Sequence, residues 1–94
     1  MSEFERTLTV KNKLGLHARA AAKLVKEASE HTVHIEIGRT ELMVNAKSIM
    51  GVLMLAAAQG TELTLKVQGD DVQACQAAMD AIENLFDNLF GEAE

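Results

Sequence analysis

The strands and the longer helices that this sequence predicts are each apolar along one side only. Thr7–Val10, Thr32–Ile37 and Glu62–Gln68 alternate polar and apolar residues, which is typical of half-buried strands. Ala18–Ser29 is rich in alanine and carries a narrow apolar stripe at helical spacing, which predicts an amphipathic helix. Because an element that is apolar on one side must bury that side against another element, the sequence predicts two packed layers.

The middle of the chain predicts a hairpin and a short helix. Gly38-Arg39 is predicted as a turn, after which Thr40–Asn45 returns as the partner of the strand 32–37. Ser48 is a good N-cap residue for the helix that follows. This helix is unusually apolar and is expected to extend to about Ala57.

A third helix is predicted near the C-terminus. It begins after Gly69-Asp70-Asp71, which ends the preceding strand and caps the helix. Its predicted core stripe has spacings of three and four residues and consists of Val72, Cys75, Met79, Ile82, Phe86 and Leu89. Gly91–Glu94 is predicted to be a frayed tail.

The predicted elements follow one another in the order β-α-β-β-α-β-α. All their apolar sides are buried if the helices cover one face of a four-stranded antiparallel sheet. The expected fold is therefore a two-layer, open-faced α+β sandwich. With 94 residues and no internal repeat or linker, residues 1–94 are expected to form one domain.

Charge is distributed unevenly along the chain. The net charge of −5 argues against nucleic acid as a main partner. Eight of the nine basic residues lie between Arg6 and Lys47, and eight acidic residues lie from Glu62 to the end. An asymmetry of this kind is typical of a docking face.

Composition also bears on where the chain works. No apolar run reaches the roughly 18 residues of a transmembrane span, and the mixed, acidic N-terminal segment is unlike a signal peptide. Cys75 is the only cysteine, so no internal disulfide can form, and no Cys/His spacing matches a zinc site. We expect a cytoplasmic protein that does not contact membranes.

His17 is the most informative single residue. It stands where the loop Asn12–Gly15 is predicted to run into the first turn of a helix. A helix N-terminus leaves backbone N–H groups unpaired and carries a partial positive charge. This charge favours a neutral, nucleophilic imidazole, and the N–H groups suit a phosphoryl group, as does the side chain of Arg19. The position also fits a histidine that only caps the helix or packs locally.

Two separated motifs resemble one known family. Leu14–Arg19, followed by the Ala-rich helix, resembles the active-site segment of the HPr family, the histidine-containing phosphocarriers of the phosphoenolpyruvate-dependent phosphotransferase system. Ala46–Leu53 resembles the second signature of that family, in which a regulatory serine opens a short helix. Gln59–Leu63 resembles the segment that enters the last strand. The likeness extends from about Thr7 to Phe90.

The resemblance implies a phosphoryl carrier rather than a stand-alone enzyme. His17 would accept a phosphoryl group from the phosphohistidine of enzyme I and pass it to a histidine of a IIA-type protein. The N–H groups of Ala18 and Arg19, together with the Arg19 side chain, would hold the phosphate. No metal or organic cofactor is implied for this chain, since magnesium and phosphoenolpyruvate would act upstream, at enzyme I. A sugar-uptake branch and a nitrogen-linked or regulatory branch both remain open.

Two sets of residues are predicted to dock partners. A helix of about eight residues cannot bury all its sides, so part of its apolar surface should be exposed. The predicted apolar docking patch consists of Ile49, Met50 and Leu53. Arg19, Lys23 and Lys26 share one face of the first helix. Lys26 matches a docking lysine of the family, whereas Lys23 has no obvious match.

Ser48 is predicted to cap its helix and, by the resemblance, to be a regulatory site for a dedicated serine kinase. Phosphate at this position would suit the helix N-terminus. It would also place about two negative charges beside the apolar docking patch.

The chain departs from the family at Ala20, where the family normally has proline. Alanine is a strong helix former, so we expect the fold to survive. The rate of transfer and the affinity for partners remain open. A second hypothesis is therefore an HPr-like regulatory module that docks partners without relaying phosphate. In either case we expect a monomer.

Overall fold

A computed structural model describes residues 1 to 94. Its four strands are β1 (Ser2–Thr9), β2 (His34–Arg39), β3 (Leu42–Asn45) and β4 (Glu62–Gly69). They form one antiparallel sheet in the order β1-β4-β2-β3. Its three helices are α1 (Ala18–Ser29), α2 (Ile49–Met54) and α3 (Val72–Asp87). The predicted open-faced α+β sandwich is confirmed.

One cluster of 23 buried apolar residues joins the two layers. It includes residues of β1, β2, β4 and all three helices, so each of these elements depends on the others for its burial. Leu24, Ile35 and Leu65 are completely buried. Each such side chain stabilises the fold by roughly 1.5–3 kcal/mol relative to an exposed one. None of the helices combines the length and the hydrophobicity needed to cross a membrane.

β1 begins at Ser2, well before the predicted start at Thr7. It pairs with β4 along its whole length. Buried and exposed positions alternate along this segment, but the residue types do not show it, because the charged residue Arg6 lies on the half-buried side of the strand. Its guanidinium donates to Asp80 at 2.9 Å and to Glu83 at 2.7 Å, both on α3. These hydrogen bonds raise the pKa of Arg6 and take the place of apolar packing between the layers.

The predicted hairpin of β2 and β3 is present, but its turn lies at Thr40-Glu41 and not at Gly38-Arg39. Gly38 belongs to β2, where it is paired with Met43. A Cβ at this position would lie 2.0 Å from the carbonyl oxygen of Leu42. Glycine is therefore required here by the close approach of two strands, and it does not mark the turn.

The helices follow the predictions closely at their starts and less well at their ends. α1 has the predicted bounds, and α3 begins behind Asp71, whose carboxylate accepts from the N–H of Gln73 at 2.9 Å. α2 ends at Met54, before the predicted end near Ala57. It stops because the backbone of Ala56 has a φ of 46°, which no right-handed helix contains.

Part of the predicted core stripe of α3 is wrong. Val72 is 43% exposed at the first turn of the helix. Leu89 lies beyond the end of α3, in a short 3₁₀ turn over Leu89–Gly91, and Phe90 is the fully buried residue of that turn. Once the helix stops at Asp87, helical spacing no longer decides which side chain points inward. The other four stripe residues, Cys75, Met79, Ile82 and Phe86, are buried as predicted.

Candidate functional site

The loop before α1 is fixed by its own hydrogen bonds and by a neighbouring segment. The Asn12 side chain donates to the carbonyl of Gly15 at 2.8 Å, and the Gly15 N–H donates to the carbonyl of Asn12 at 3.2 Å. Leu16 then donates its N–H to the carbonyl of Ala57 at 2.9 Å. Gly15 has a φ of 69°, and a Cβ there would lie 2.4 Å from the Ala57 oxygen. The residue that follows Leu16 is therefore held in a defined position.

That residue is His17, the N-cap of α1. Its backbone is extended, with φ −71° and ψ 178°, and its carbonyl accepts the N–H of Ala21 at 2.8 Å. The N–H groups of Ala18 and Arg19 have no acceptor in the chain, as expected for the first turn of a helix. The His17 side chain is 27% exposed, so the ring is accessible to a partner.

Only two basic residues of the chain have neither a hydrogen-bond partner nor an ion-pair partner, and these are Arg19 and Lys26. The other seven are engaged: Arg6, Lys11, Lys13 and Lys66 pair with carboxylates, and Lys23, Arg39 and Lys47 donate to backbone carbonyls. Three of these residues, Arg6, Lys11 and Lys13, pair with carboxylates of the acidic last third. Part of the charge asymmetry seen in the sequence is therefore neutralised within the molecule.

The prediction of a frayed tail at Gly91–Glu94 is wrong, because the tail packs beside His17. Phe90 is completely buried, and its ring centroid lies 4.8 Å from that of Phe86. Lys23 donates to the carbonyl of Phe90 at 2.6 Å. The backbone N–H of Lys13 donates to the carbonyl of Glu94 at 3.0 Å. The end of the chain is thus attached both to α1 and to the loop before it.

Within the tail, Glu92 contacts His17 directly. One carboxylate oxygen, Oε2, is hydrogen-bonded to Nε2 of His17. The other, Oε1, accepts from Nδ2 of Asn12 at 2.9 Å. The hydrogen bond from Asn12, then the contact with His17 and the nearby charge of Arg19 hold the pKa of Glu92 below its ordinary value. Glu92 is therefore ionised at neutral pH.

The predicted apolar patch lies on the outer side of α2, which packs against α1. Met50 is 70% exposed, and Ile49 and Leu53 are exposed by 39% and 38%. Val52, on the inner side of the same helix, is fully buried. Ser48 is the N-cap of α2, and its hydroxyl oxygen accepts the N–H of Gly51 at 3.1 Å.

Comparison with known proteins decides the family. Residues 4–88 match the family model described as "PTS HPr component phosphorylation site". The chain belongs to the HPr family. It is 49% identical to the phosphocarrier protein HPr of Xylella fastidiosa, over 94% of this chain and 96% of that protein. It is 46% identical to the phosphocarrier protein NPr of Shewanella violacea, over 99% of each.

A solved structure from the same family supports the fold independently. The crystal structure of HPr from Thermoanaerobacter tengcongensis superposes with a TM-score of 0.88 at 41% identity, over 97% of this chain and 99% of that one. The chain is thus a member of a phosphocarrier family of the phosphotransferase system.

The sequence predicts that His17, Ala18 and Arg19 lie together. It does not identify Asn12 and Glu92 as residues whose side chains belong to the site. Asn12 carries a weak signal, because an asparagine three residues before a glycine is typical of a turn. Glu92 carries none, since a glutamate near a chain end is usually solvated. Only the apolar Phe90, four residues after Phe86, indicates that the chain stays close to the core.

Proposed function

We propose that this chain relays a phosphoryl group from the phosphohistidine of enzyme I, through His17, to a IIA-type protein. The observation that carries the proposal is the position of His17 as the partly exposed N-cap of α1. An imidazole in this position faces partners, and the product anion would find unpaired amide donors beside it.

The chemistry needs little beyond position and charge. Phosphoryl transfer depends mainly on aligning the donor and acceptor and on stabilising charge on the phosphoryl oxygens. The N–H groups of Ala18 and Arg19 would donate to those oxygens, helped by the partial positive charge at the helix start. The guanidinium of Arg19, which has no partner within the chain, would supply further donors.

Partner docking is proposed for the apolar surface of α2 and for the unpaired cations of α1. Ile49, Met50 and Leu53 form an exposed apolar patch with a flexible methionine, which suits a surface that must fit more than one partner. Arg19 and Lys26 are proposed as the cations that attract an acidic partner surface. Lys23 is not included, because it already donates to the carbonyl of Phe90.

A regulatory role is proposed for Ser48, with an HPr-directed serine kinase as the partner. The serine lies at the start of the helix that carries the apolar patch. A phosphate there would add about two negative charges beside residues proposed to bind in an apolar contact. We expect such a phosphate to weaken the binding of enzyme I.

The test of the relay is phosphorylation of the purified chain by enzyme I and phosphoenolpyruvate. The proposal expects one phosphate that is labile to acid, stable to alkali and absent from a His17→Ala variant. The phosphate should then pass to a IIA-type protein. Binding of enzyme I without any phosphorylation would favour the second hypothesis, a regulatory module that docks partners but does not relay phosphate.

A further inference from the structure

Glu92 binds two groups of the site at once. Its carboxylate oxygens are divided between Nε2 of His17 and the side-chain amide of Asn12. Asn12 is completely buried, and the Glu92 side chain is only 12% exposed, less than the 27% of His17 itself. The carboxylate is therefore held from the protein side by Asn12 and is less exposed than the imidazole that it contacts.

The contact defines which ring nitrogen carries the hydrogen. An ionised carboxylate can only accept hydrogen bonds, so the shared hydrogen belongs to Nε2 of His17. In a neutral imidazole the other nitrogen, Nδ1, then holds an unshared electron pair. The bond at Nε2 is the only hydrogen bond that the ring makes, and the side chain does not cap α1. Nδ1 therefore has no hydrogen-bond partner in the chain.

The tail has contacts on both sides of Glu92 that do not involve His17. Phe90, two residues before Glu92, is buried against Phe86, and its carbonyl accepts from Lys23. Two residues after Glu92, the carbonyl of Glu94 accepts from the backbone of Lys13. Leu89 and Phe90 also adopt left-handed backbone angles, φ 58° and 53°, which turn the chain back toward His17. The tail is thus anchored on both sides of Glu92, which leaves the Glu92 side chain available for another role.

We propose that Glu92 is a positioning residue for phosphoryl transfer: by accepting the Nε2 hydrogen of His17, it orients the ring and leaves Nδ1 as the nucleophile. The proposal rests on the proposed function, the relay through His17, and adds to it a second residue, Glu92, which holds the histidine ring in one tautomer.

The step balances without any further reactant. The electron pair of Nδ1 attacks phosphorus, a new N–P bond forms, and the N–P bond of the donor phosphohistidine breaks. The electron pair of the broken bond stays on the donor imidazole. Because Nε2 keeps its hydrogen, the His17 ring gains positive charge as the N–P bond forms. The carboxylate of Glu92 stabilises this charge from the side opposite to the incoming group, as the aspartate of a serine-protease triad does for its histidine.

The most direct test measures the tautomer of the His17 ring and needs no partner protein. We would record long-range ¹H–¹⁵N NMR spectra of the histidine rings in the wild type, in Glu92→Ala and in Glu92→Gln. The wild type should show a single His17 tautomer with hydrogen on Nε2. Glu92→Ala should show a mixture with the Nδ1–H form, and Glu92→Gln should restore part of the wild-type signal because its amide oxygen can still accept.

The chain contains matched references for this experiment. Nε2 of His31 pairs with Glu27 at 2.9 Å, and Nε2 of His34 pairs with Glu36 at 3.3 Å, so both rings should stay unchanged in every variant. Glu94→Gln removes the same charge from the same tail without touching His17, since Glu94 faces Lys13. That variant should keep the wild-type tautomer.

The rate of phosphorylation by enzyme I tests whether Glu92 matters for function. We expect Glu92→Ala to accept phosphate at least about tenfold more slowly than the wild type, because the carboxylate that orients the reacting histidine and stabilises its positive charge is lost. Glu94→Gln should match the wild type. A thermal melt of each variant checks that the fold is intact. An unchanged tautomer, or an unchanged or faster transfer rate in a folded Glu92→Ala, would overturn the proposal. A wild-type chain that accepts no phosphate at all would instead overturn the proposed function, whatever the tautomer.

Discussion

At the scale of single residues, Asn12 connects the loop before His17 with the tail behind it. Nδ2 of its side chain donates to the backbone carbonyl of Gly15 at 2.8 Å and to Glu92 at 2.9 Å, while the side-chain oxygen Oδ1 is buried without a partner. A buried side chain of this kind costs free energy to desolvate, and its two donated hydrogen bonds offset that cost. Asn12 therefore fixes both the loop and the carboxylate that contacts His17.

Replacing Asn12 with alanine should destabilise the protein. The substitution leaves the buried carbonyl of Gly15 without this donor, which we expect to lower the free energy of unfolding by about 1–3 kcal/mol. Urea denaturation measures the change. Asn84→Ala is the matched control, because the Asn84 amide bonds only to the exposed Asn88 side chain, and it should change stability by no more than about 0.5 kcal/mol. Equal effects of the two substitutions would contradict the structural role of Asn12.

The lowered pKa of Glu92 predicts how the tail contact depends on pH. A carboxyl group with a lower pKa in the folded state adds stability above the unfolded pKa, which is about 4.3 for glutamate, and loses it as pH falls through the folded-state value. Because the hydrogen bond from Asn12 is the largest cause, the pKa of Glu92 should rise in Asn12→Ala. A ¹³C NMR titration of the Glu92 carboxyl carbon measures both midpoints. Identical midpoints would show that Asn12 does not hold the carboxylate.

At the scale of elements, agreement between sequence and structure is best where one local rule dominates. α1 has its predicted bounds because alanine-rich amphipathic spacing extends to both of its ends. The turn of the β2–β3 hairpin lies two residues after its predicted position. Gly38 is required by the close approach of β2 and β3 and does not mark the turn, and the sequence around it does not distinguish these two roles. The predicted β1 is too short because a charged residue, Arg6, occupies an inward-facing position of the strand, where it forms ion pairs with α3 instead of apolar contacts.

In the candidate site, too, some residues can be predicted from local sequence and others cannot. His17 and the first turn of α1 are adjacent in sequence, so their proximity follows from one helix start. Glu92 is 75 residues from His17, and its approach depends on the burial of Phe90 and on two consecutive left-handed residues, Leu89 and Phe90. Neither residue type favours that backbone, so tertiary packing imposes it, and no sequence pattern predicts it.

The N-cap of α2 provides a test at this scale. Ser48→Ala removes the acceptor of the Gly51 N–H, and we expect the free energy of unfolding to fall by about 1 kcal/mol. Ser48→Asp keeps a capping oxygen and should retain most of the stability, while its charge lies beside the apolar docking patch. Thermal melts and binding of enzyme I measure the two effects separately. If Ser48→Asp bound enzyme I as tightly as the wild type does, the proposed regulation through this residue would be wrong.

At the scale of the whole molecule, seven of the nine basic residues have a partner within the chain, and for four of them the partner is a carboxylate. Lys11 and Asp87, for example, lie 2.6 Å apart and join the first half to α3. Arg19 and Lys26 remain as unpaired cations on α1. Charges of this kind accelerate the approach of an oppositely charged partner, and salt screens their effect.

Two substitutions that change the net charge equally should therefore differ in their effect on docking. Lys26→Ala should slow association with enzyme I severalfold at low salt and weaken its salt dependence. Lys11→Ala makes the same change in net charge but removes a cation that is already paired, so its effect should be smaller. Stopped-flow association rates over a range of salt concentrations measure both. Equal effects would mean that net charge, and not the unpaired face of α1, controls the encounter.

The central claim is that His17 receives the phosphoryl group at the nitrogen opposite Glu92. The most direct measurement is ³¹P–¹⁵N NMR of the ¹⁵N-labelled chain after treatment with enzyme I and phosphoenolpyruvate. We predict a single phosphorus signal with one-bond coupling to Nδ1 of His17, and no such signal in His17→Ala. A phosphorus signal coupled to Nε2, or one that survives in His17→Ala, would contradict the account.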